Sequence, residues 1–220
     1  MGCVKNKDHL VQGRYETGNS IDYDAPVMYI ENGGIIKDPE IITRFLGKYA
    51  ENFSKAGSQP LNEKLSLNWS DKYSSVTTDN QQYDSLLFKQ VLDGYVFETR
   101  DSINGYFPFN NANLPDYVKE VETRYFQKTC ILLPHPGDYN YSVCMIPRKV
   151  FVFKMENGNL TFPVISYYLR HTESYDGTAS QSSWLVEESV NTTFNKAILA
   201  KFTKGDTLVV QTGVAQLKRK

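Results

Sequence analysis

The chain has almost no net charge. Its 24 Lys and Arg stand against 25 Asp and Glu, a formal charge of −1 over 220 residues. A general nucleic-acid binder needs a basic field to displace counterions, so that class is excluded. The one basic cluster, Lys218-Arg219-Lys220, reads as a solvated chain end. No apolar run reaches the roughly 20 residues that span a bilayer. No charged n-region followed by an apolar h-region is visible at the start. Histidine is scarce, and His9, His135 and His171 lie far apart. Without His-x-His, His-Glu-x-x-His or Cys-x-x-Cys, no metal centre is expected by spacing. Gly-Lys-x-Thr, Gly-x-Gly-x-x-Gly and Gly-x-Ser-x-Gly are also missing, which removes the common phosphate loops and the nucleophile elbow. No catalytic residue and no cofactor is assigned on the sequence.

What is present is aromatic and alternating. Fifteen Tyr, 12 Phe and 2 Trp favour strands, where a flat ring packs on a pleated surface. Pro26–Ile30 reads as a short strand, Asn32-Gly33-Gly34 as a turn, and Ile35-Ile36 as a returning strand. One amphipathic helix is predicted over residues 39–53. Asp38 suits its N-cap, Pro39 its first position, and Ile41, Ile42, Phe45, Leu46, Tyr49 and Phe53 form its apolar stripe. Gly57 and Pro60 would end it. Such a helix must lie on a sheet.

From residue 61 the period changes to two. Leu65–Trp69, Leu86–Lys89, Tyr95–Thr99, Thr129–Leu133, Tyr141–Ile146, Val150–Met155, Leu160–Leu169, Trp184–Glu188, Lys196–Phe202 and Thr207–Val214 read as strands. Turn signals lie between many of them: Asp93-Gly94, Asn104-Gly105, residues 134–138, 156–159 and 204–206. Residues 106–116 read as an irregular loop, and 117–126 fit helix or strand equally. The expected fold is all-β, an antiparallel hairpin-built barrel or sandwich with one short helix near the N-terminus. Residues 1–22 read as a polar tether leading to the first edge of the domain, and 23–220 as a single β-rich domain.

The start carries a positional hint. Gly2-Cys3 precedes a polar stretch, Lys5-Asn6-Lys7-Asp8-His9. Gly-Cys before a polar tether looks like the cleavage end of a bacterial lipoprotein signal, in which the Cys is acylated. N-myristoylation at Gly2 is the rival reading, although Asn6 stands where Ser or Thr is preferred. The anchor-like Cys3, the tether, the strand–helix opening at Asp38-Pro39 and the hairpin meander together resemble lipocalin-like cell-envelope lipoproteins of Bacteroidetes. The first strand carries Tyr29-Ile30 where true lipocalins carry Gly-x-Trp. The resemblance implies a lipid-anchored envelope location, on the periplasmic face or cell surface, with the anchor as the only membrane contact. It also implies a non-enzymatic binding or accessory role toward a small molecule, lipid or glycan.

Two alternatives stay open. One is a hydrolase or lyase with a site assembled around His135 and Asp138, or His171 and Glu173. The other is a structural subunit that binds a protein partner through an open sheet edge. Tyr139, Tyr141 and Trp184 are the candidate ligand-binding aromatics, suited to sugar stacking, although aromatics on strands are more often core. Asn52, Asn68 and Asn191 each begin an Asn-x-Ser/Thr triplet. Cys130 and Cys144 lie in apolar strands, where a thiol stays protonated and inert as a nucleophile. A hairpin centred on Gly137 makes them direct opposites, seven residues to either side, and so a candidate disulfide.

Overall fold

The computed structural model describes residues 12–61, 64–70, 74–78, 81–91, 94–98, 103–109, 129–134, 140–146, 150–156, 159–175, 178–185, 191, 193–194, 196–202 and 204–220. It is mostly β, with every paired strand antiparallel and one short α-helix among the described residues.

The spine is a pair of long strands, β15 (Asn159–Tyr175) and β17 (Thr207–Arg219). They pair continuously from Leu160 opposite Leu217 to Arg170 opposite Thr207. Three short strands share the outer edge of β17. They are β1 (Gly13–Thr17), β2 (Ser20–Tyr23) and β3 (Val27–Ile30). The breaks between them fall at Gly18-Asn19 and at Asp24-Ala25-Pro26. Pro26 has no N–H to give to a ladder. Residues 13–17 and 20–22, read from sequence as the end of a tether, are therefore strands of the sheet. Their polar residues mostly face outward, while Tyr15, Thr17 and Ile21 are buried.

Each short strand leads to a different neighbour. β3 pairs with β4 (Ile35–Ile36), and β2 with β5 (Gly57–Pro60). β1 pairs with β6 (Ser66–Trp69), which continues to β7 (Ser74–Thr77) and β8 (Gln82–Tyr83). On its other edge β15 pairs with β14 (Val150–Glu156), then β10 (Gly94–Glu98) and β9 (Leu87–Val91). Further along, β15 pairs instead with β16 (Thr178–Leu185). The result is a 14-stranded sheet that curls into a half-barrel. A second sheet of three strands contains β11 (Ile103–Phe109), β12 (Thr129–Pro134) and β13 (Asn140–Ile146), with β13 in the middle.

The spine is buried in two ways. At one end the sheet curls around Leu67, Val76, Phe97, Phe151 and Phe153, all at most 2 % exposed. At the other end the sheet is covered on both faces. Met28, Tyr168 and Val209 meet Ile42 and Leu46 of α1 (Pro39–Leu46). Tyr29, Tyr167, Leu169, Leu208 and Val210 meet Ile198 on the opposite face. This double cover explains why Thr207–Gln211 are buried without alternation.

Several sequence expectations need correction. The α-helix starts where predicted, with the Asp38 carboxylate accepting from the Glu40 and Ile41 N–H groups at 2.9 and 3.2 Å. It ends at Leu46, not at residue 53. Gly47 takes φ +56°, a left-handed conformation that favours glycine, and residues 47–52 tighten into a 3-10 turn. Ile41, expected on the buried stripe, is 42 % exposed. Lys196–Lys201 is a 3-10 turn rather than a strand, because Ile198, Leu199 and Phe202 all turn toward one sheet face. Consequently β17 takes β15 as its partner, not residues 196–202. Asn104-Gly105 is not a hairpin turn but lies where the β11–β13 register shifts, as in a bulge, and residues 106–109 continue the strand. The strand expected at 184–188 runs from Thr178 to Leu185. Residues 117–126 lie outside the described residues.

Candidate functional site

Two forks in the sheet are closed by amide side chains, one half-buried and one buried. The first lies between β14 and β15. Their ladder stops at Lys154 opposite Thr161, and two residues further on Val152 would face Pro163. Pro163 cannot donate a backbone bond. Asn191 takes its place: its Oδ1 accepts from Val152 N at 2.6 Å, and its Nδ2 donates to Val152 O at 3.0 Å and Pro163 O at 2.8 Å. The second fork lies where β17 passes from β3 to β2. Gln211, 1 % exposed, donates through Nε2 to Asp24 O at 2.9 Å and Ser54 O at 2.8 Å. Its Oε1 accepts from Ser54 N at 2.8 Å. The neighbouring Thr212 hydroxyl donates to the Asp24 carboxylate. These polar groups are satisfied, so they hold the fold and present no free group to a ligand.

The open edge of the half-barrel offers a different arrangement, on the face that turns toward the core. Trp69, at the end of β6, stacks on Phe88 of β9 with ring centroids 4.9 Å apart. Phe88 also stacks on Tyr95 at 5.7 Å and leans on Phe97 at 5.3 Å. Tyr95 and Phe97 belong to the core, whereas Phe88 is 41 % exposed and Trp69 half-buried. Offset and tilted geometries of this kind fix ring orientation without any polar contact. The outcome is a rigid aromatic plate with one partly open side, backed by the filled interior. Leu87 beside it is 37 % exposed.

A shallow open depression of about 440 Å³ lies elsewhere, lined by Pro39, Glu40, Thr43 and Arg44 on the outer side of α1. On the inner side, Phe45 and Tyr49 pack on Tyr168 at 5.7 and 5.0 Å, and the Arg170 guanidinium sits 4.2 Å from the Phe45 ring centre. That cluster fastens the helix to β15.

Of the sequence-predicted site residues, the described structure sets Cys130 directly opposite Cys144 in the β12–β13 ladder and places Tyr141 and Trp184 in different sheets. Cys3 and Tyr139 lie outside the described residues, as do His135 and Asp138. Tyr141 sits on β13 opposite Leu133, in the three-stranded sheet. Trp184 sits on β16 opposite Leu169, in the large sheet. His171 and Glu173 fall opposite Ser182 and Ser180 at the same β15–β16 ladder. Among the described residues no group of three His, Cys, Asp or Glu is placed to hold a metal, and no helix is long and apolar enough to cross a membrane. Sequence reading missed the Trp69–Phe88 plate because the two residues belong to strands 19 positions apart that meet only when the sheet curls. No family model, curated protein or solved structure matches this chain.

Proposed function

We propose that this chain is a non-enzymatic binding module of the bacterial cell envelope, anchored through Cys3, that takes a glycan at the open edge of its half-barrel. The observation that carries the reading is the Trp69–Phe88 plate. The inside of the curl is filled by Phe97, Phe153, Leu67 and Val76, which are not exposed at all. That filling argues against a lipocalin-type interior cavity and favours a site at the open edge of the curl. A flat apolar plate suits the apolar face of a sugar ring. The location rests on Gly2-Cys3 and its polar tether.

The test uses Trp184→Phe, which leaves Trp69 as the sole indole. Its emission is titrated with laminarin, xylo-oligosaccharides and peptidoglycan fragments. One of these should give a saturable shift that Phe88→Ala weakens about two- to tenfold, since one aromatic contact is worth about 0.5–1.5 kcal/mol. No shift with any of them overturns the glycan reading. An unmodified Cys3 mass in protein from native membranes overturns the anchor.

A second reading, strand addition to a protein partner, is favoured by β9. Among the described residues it pairs only with β10 and exposes Leu87 and Phe88. A partner lost from pull-downs on Leu87→Lys but retained on Phe88→Ala would select it.

A further inference from the structure

We infer that Cys130 and Cys144 form an oxidisable pair that closes into a cross-strand disulfide between β12 and β13. The inference is independent of the proposed glycan role. It rests on register. The two strands pair without a break from Thr129 opposite Met145 to Pro134 opposite Asn140, and within that ladder Cys130 is the direct partner of Cys144. Direct partners in antiparallel strands share one face of the sheet. Their Cα atoms lie about 4.5 Å apart in a non-hydrogen-bonded pair and about 5.5 Å in a hydrogen-bonded one, and a disulfide spans about 4.4–6.8 Å. Either kind of pair therefore falls within the Cα span of a disulfide. Residues 131 and 143 face each other next in the ladder, so a slip of one residue would separate the cysteines to opposite faces. β13 also pairs with β11, where Cys144 faces Phe107. A register change in β13 would thus break two ladders at once.

The oxidant is a low-molecular-weight disulfide such as oxidised glutathione. One cysteine thiolate attacks it and releases one glutathione thiolate. The second cysteine thiolate then attacks the mixed disulfide and releases the other. Two protein thiols become one disulfide, one glutathione disulfide becomes two glutathiones, and the two protons leave with them. In an oxidising compartment the pair would stand closed, and in a reducing one open.

The test uses Cys3→Ser, so that only these two thiols remain. The native protein is equilibrated with oxidised glutathione, denatured and alkylated without reduction, and analysed by peptide mass. The expected result is a linked Cys130–Cys144 peptide pair with neither cysteine alkylated. Two alkylated cysteines, stable glutathione adducts or a disulfide between two chains each overturn the inference. The double variant Cys144→Ser/Val143→Cys moves the thiol by one register position. It should not close, and closure there would show that flexibility rather than register brings the thiols together.

Discussion

Gln211 is the most informative single perturbation in the fold. Its amide makes three bonds to backbone groups of Asp24 and Ser54. These contacts tie the segment after α1 to the strand at the centre of the sheet, 157 positions away in sequence from Ser54. Gln211→Met keeps a stem of similar volume and removes all three bonds. A net of about 1 kcal/mol per bond gives a loss of about 3 kcal/mol. Gln211→Ala adds a partial cavity and should cost somewhat more. Gln211→Glu keeps an acceptor for Ser54 N but sets a carboxylate against two carbonyl oxygens. Burial and those oxygens raise its folded pKa above the unfolded value of about 4.3. A raised folded pKa means that stability is fullest below the unfolded pKa and is lost as pH rises through the folded one. In acid the protonated Glu keeps the Ser54 N bond and can donate one more, so this variant should lie between the parent and the Met variant there and fall below the Met variant near neutrality. Urea unfolding followed by far-UV circular dichroism reads all three. A Met variant within about 0.5 kcal/mol of the parent would refute the reasoning, because it would mean that the bonds contribute nothing net.

Three further perturbations address other parts of the molecule. In Gly94→Ala an ideal Cβ would lie 2.0 Å from the Phe153 carbonyl oxygen and 2.8 Å from Lys154 Cα, so β10 and β14 must separate; thermal unfolding should drop well below that of a surface Gly→Ala control, and equality would deny the close approach. Phe45→Ala should cost about 2 kcal/mol in urea unfolding, less than the roughly 3–5 kcal/mol of a fully buried Phe, because this ring is half-buried between Tyr168 and Arg170; a change below about 0.5 kcal/mol would deny that the ring fastens the helix. Tyr15, Tyr29 and Tyr83 have pKa values raised by burial, with the Arg219 charge partly opposing the effect at Tyr15. Their neutral forms stabilise the fold below about pH 10 and that contribution fades as pH rises through their folded values; ultraviolet titration of the folded protein should show tyrosines that ionise above the ordinary range of about 10, and a single unperturbed transition would contradict this.

Much of the fold is legible in the chain because many strands carry their own signal. Tyr95–Phe97 and Val150–Phe153 are short runs of aromatic and β-branched residues, and they pair in the structure. Glu156 faces Asn159 across the loop that Asn157-Gly158 announces. Asp38-Pro39 marks the helix start for a local chemical reason. The failures are equally physical. Gly47 ends the helix inside an apolar stripe that continues past it, since periodicity reports which residues are apolar and not whether the backbone stays helical. Ile198, Leu199 and Phe202 resemble a strand in composition, yet they cap a sheet face from a 3-10 turn. Most of β16 escaped notice because its Ser180–Ser183 stretch is polar throughout and lacks the apolar alternation that would place it.

The candidate site was not legible, because its geometry comes from curvature. Trp69 and Phe88 meet only when β6 and β9 approach across the open side of the half-barrel, and that approach depends on how the spine sheds its partners. β17 changes partner at Gln211, and β15 loses β14 near Pro163. At each place the backbone ladder has a gap that a side-chain amide fills: Gln211 grips Ser54 and Asp24, and Asn191 bridges Val152 and Pro163. An amide carries both a donor and an acceptor, so it can stand in for a peptide group where no strand fits. An isolated Asn or Gln in sequence gives no sign of this role. The same two residues that let the sheet divide also hold each branch in place, so the aromatic plate is a consequence of the forks rather than of any motif near it.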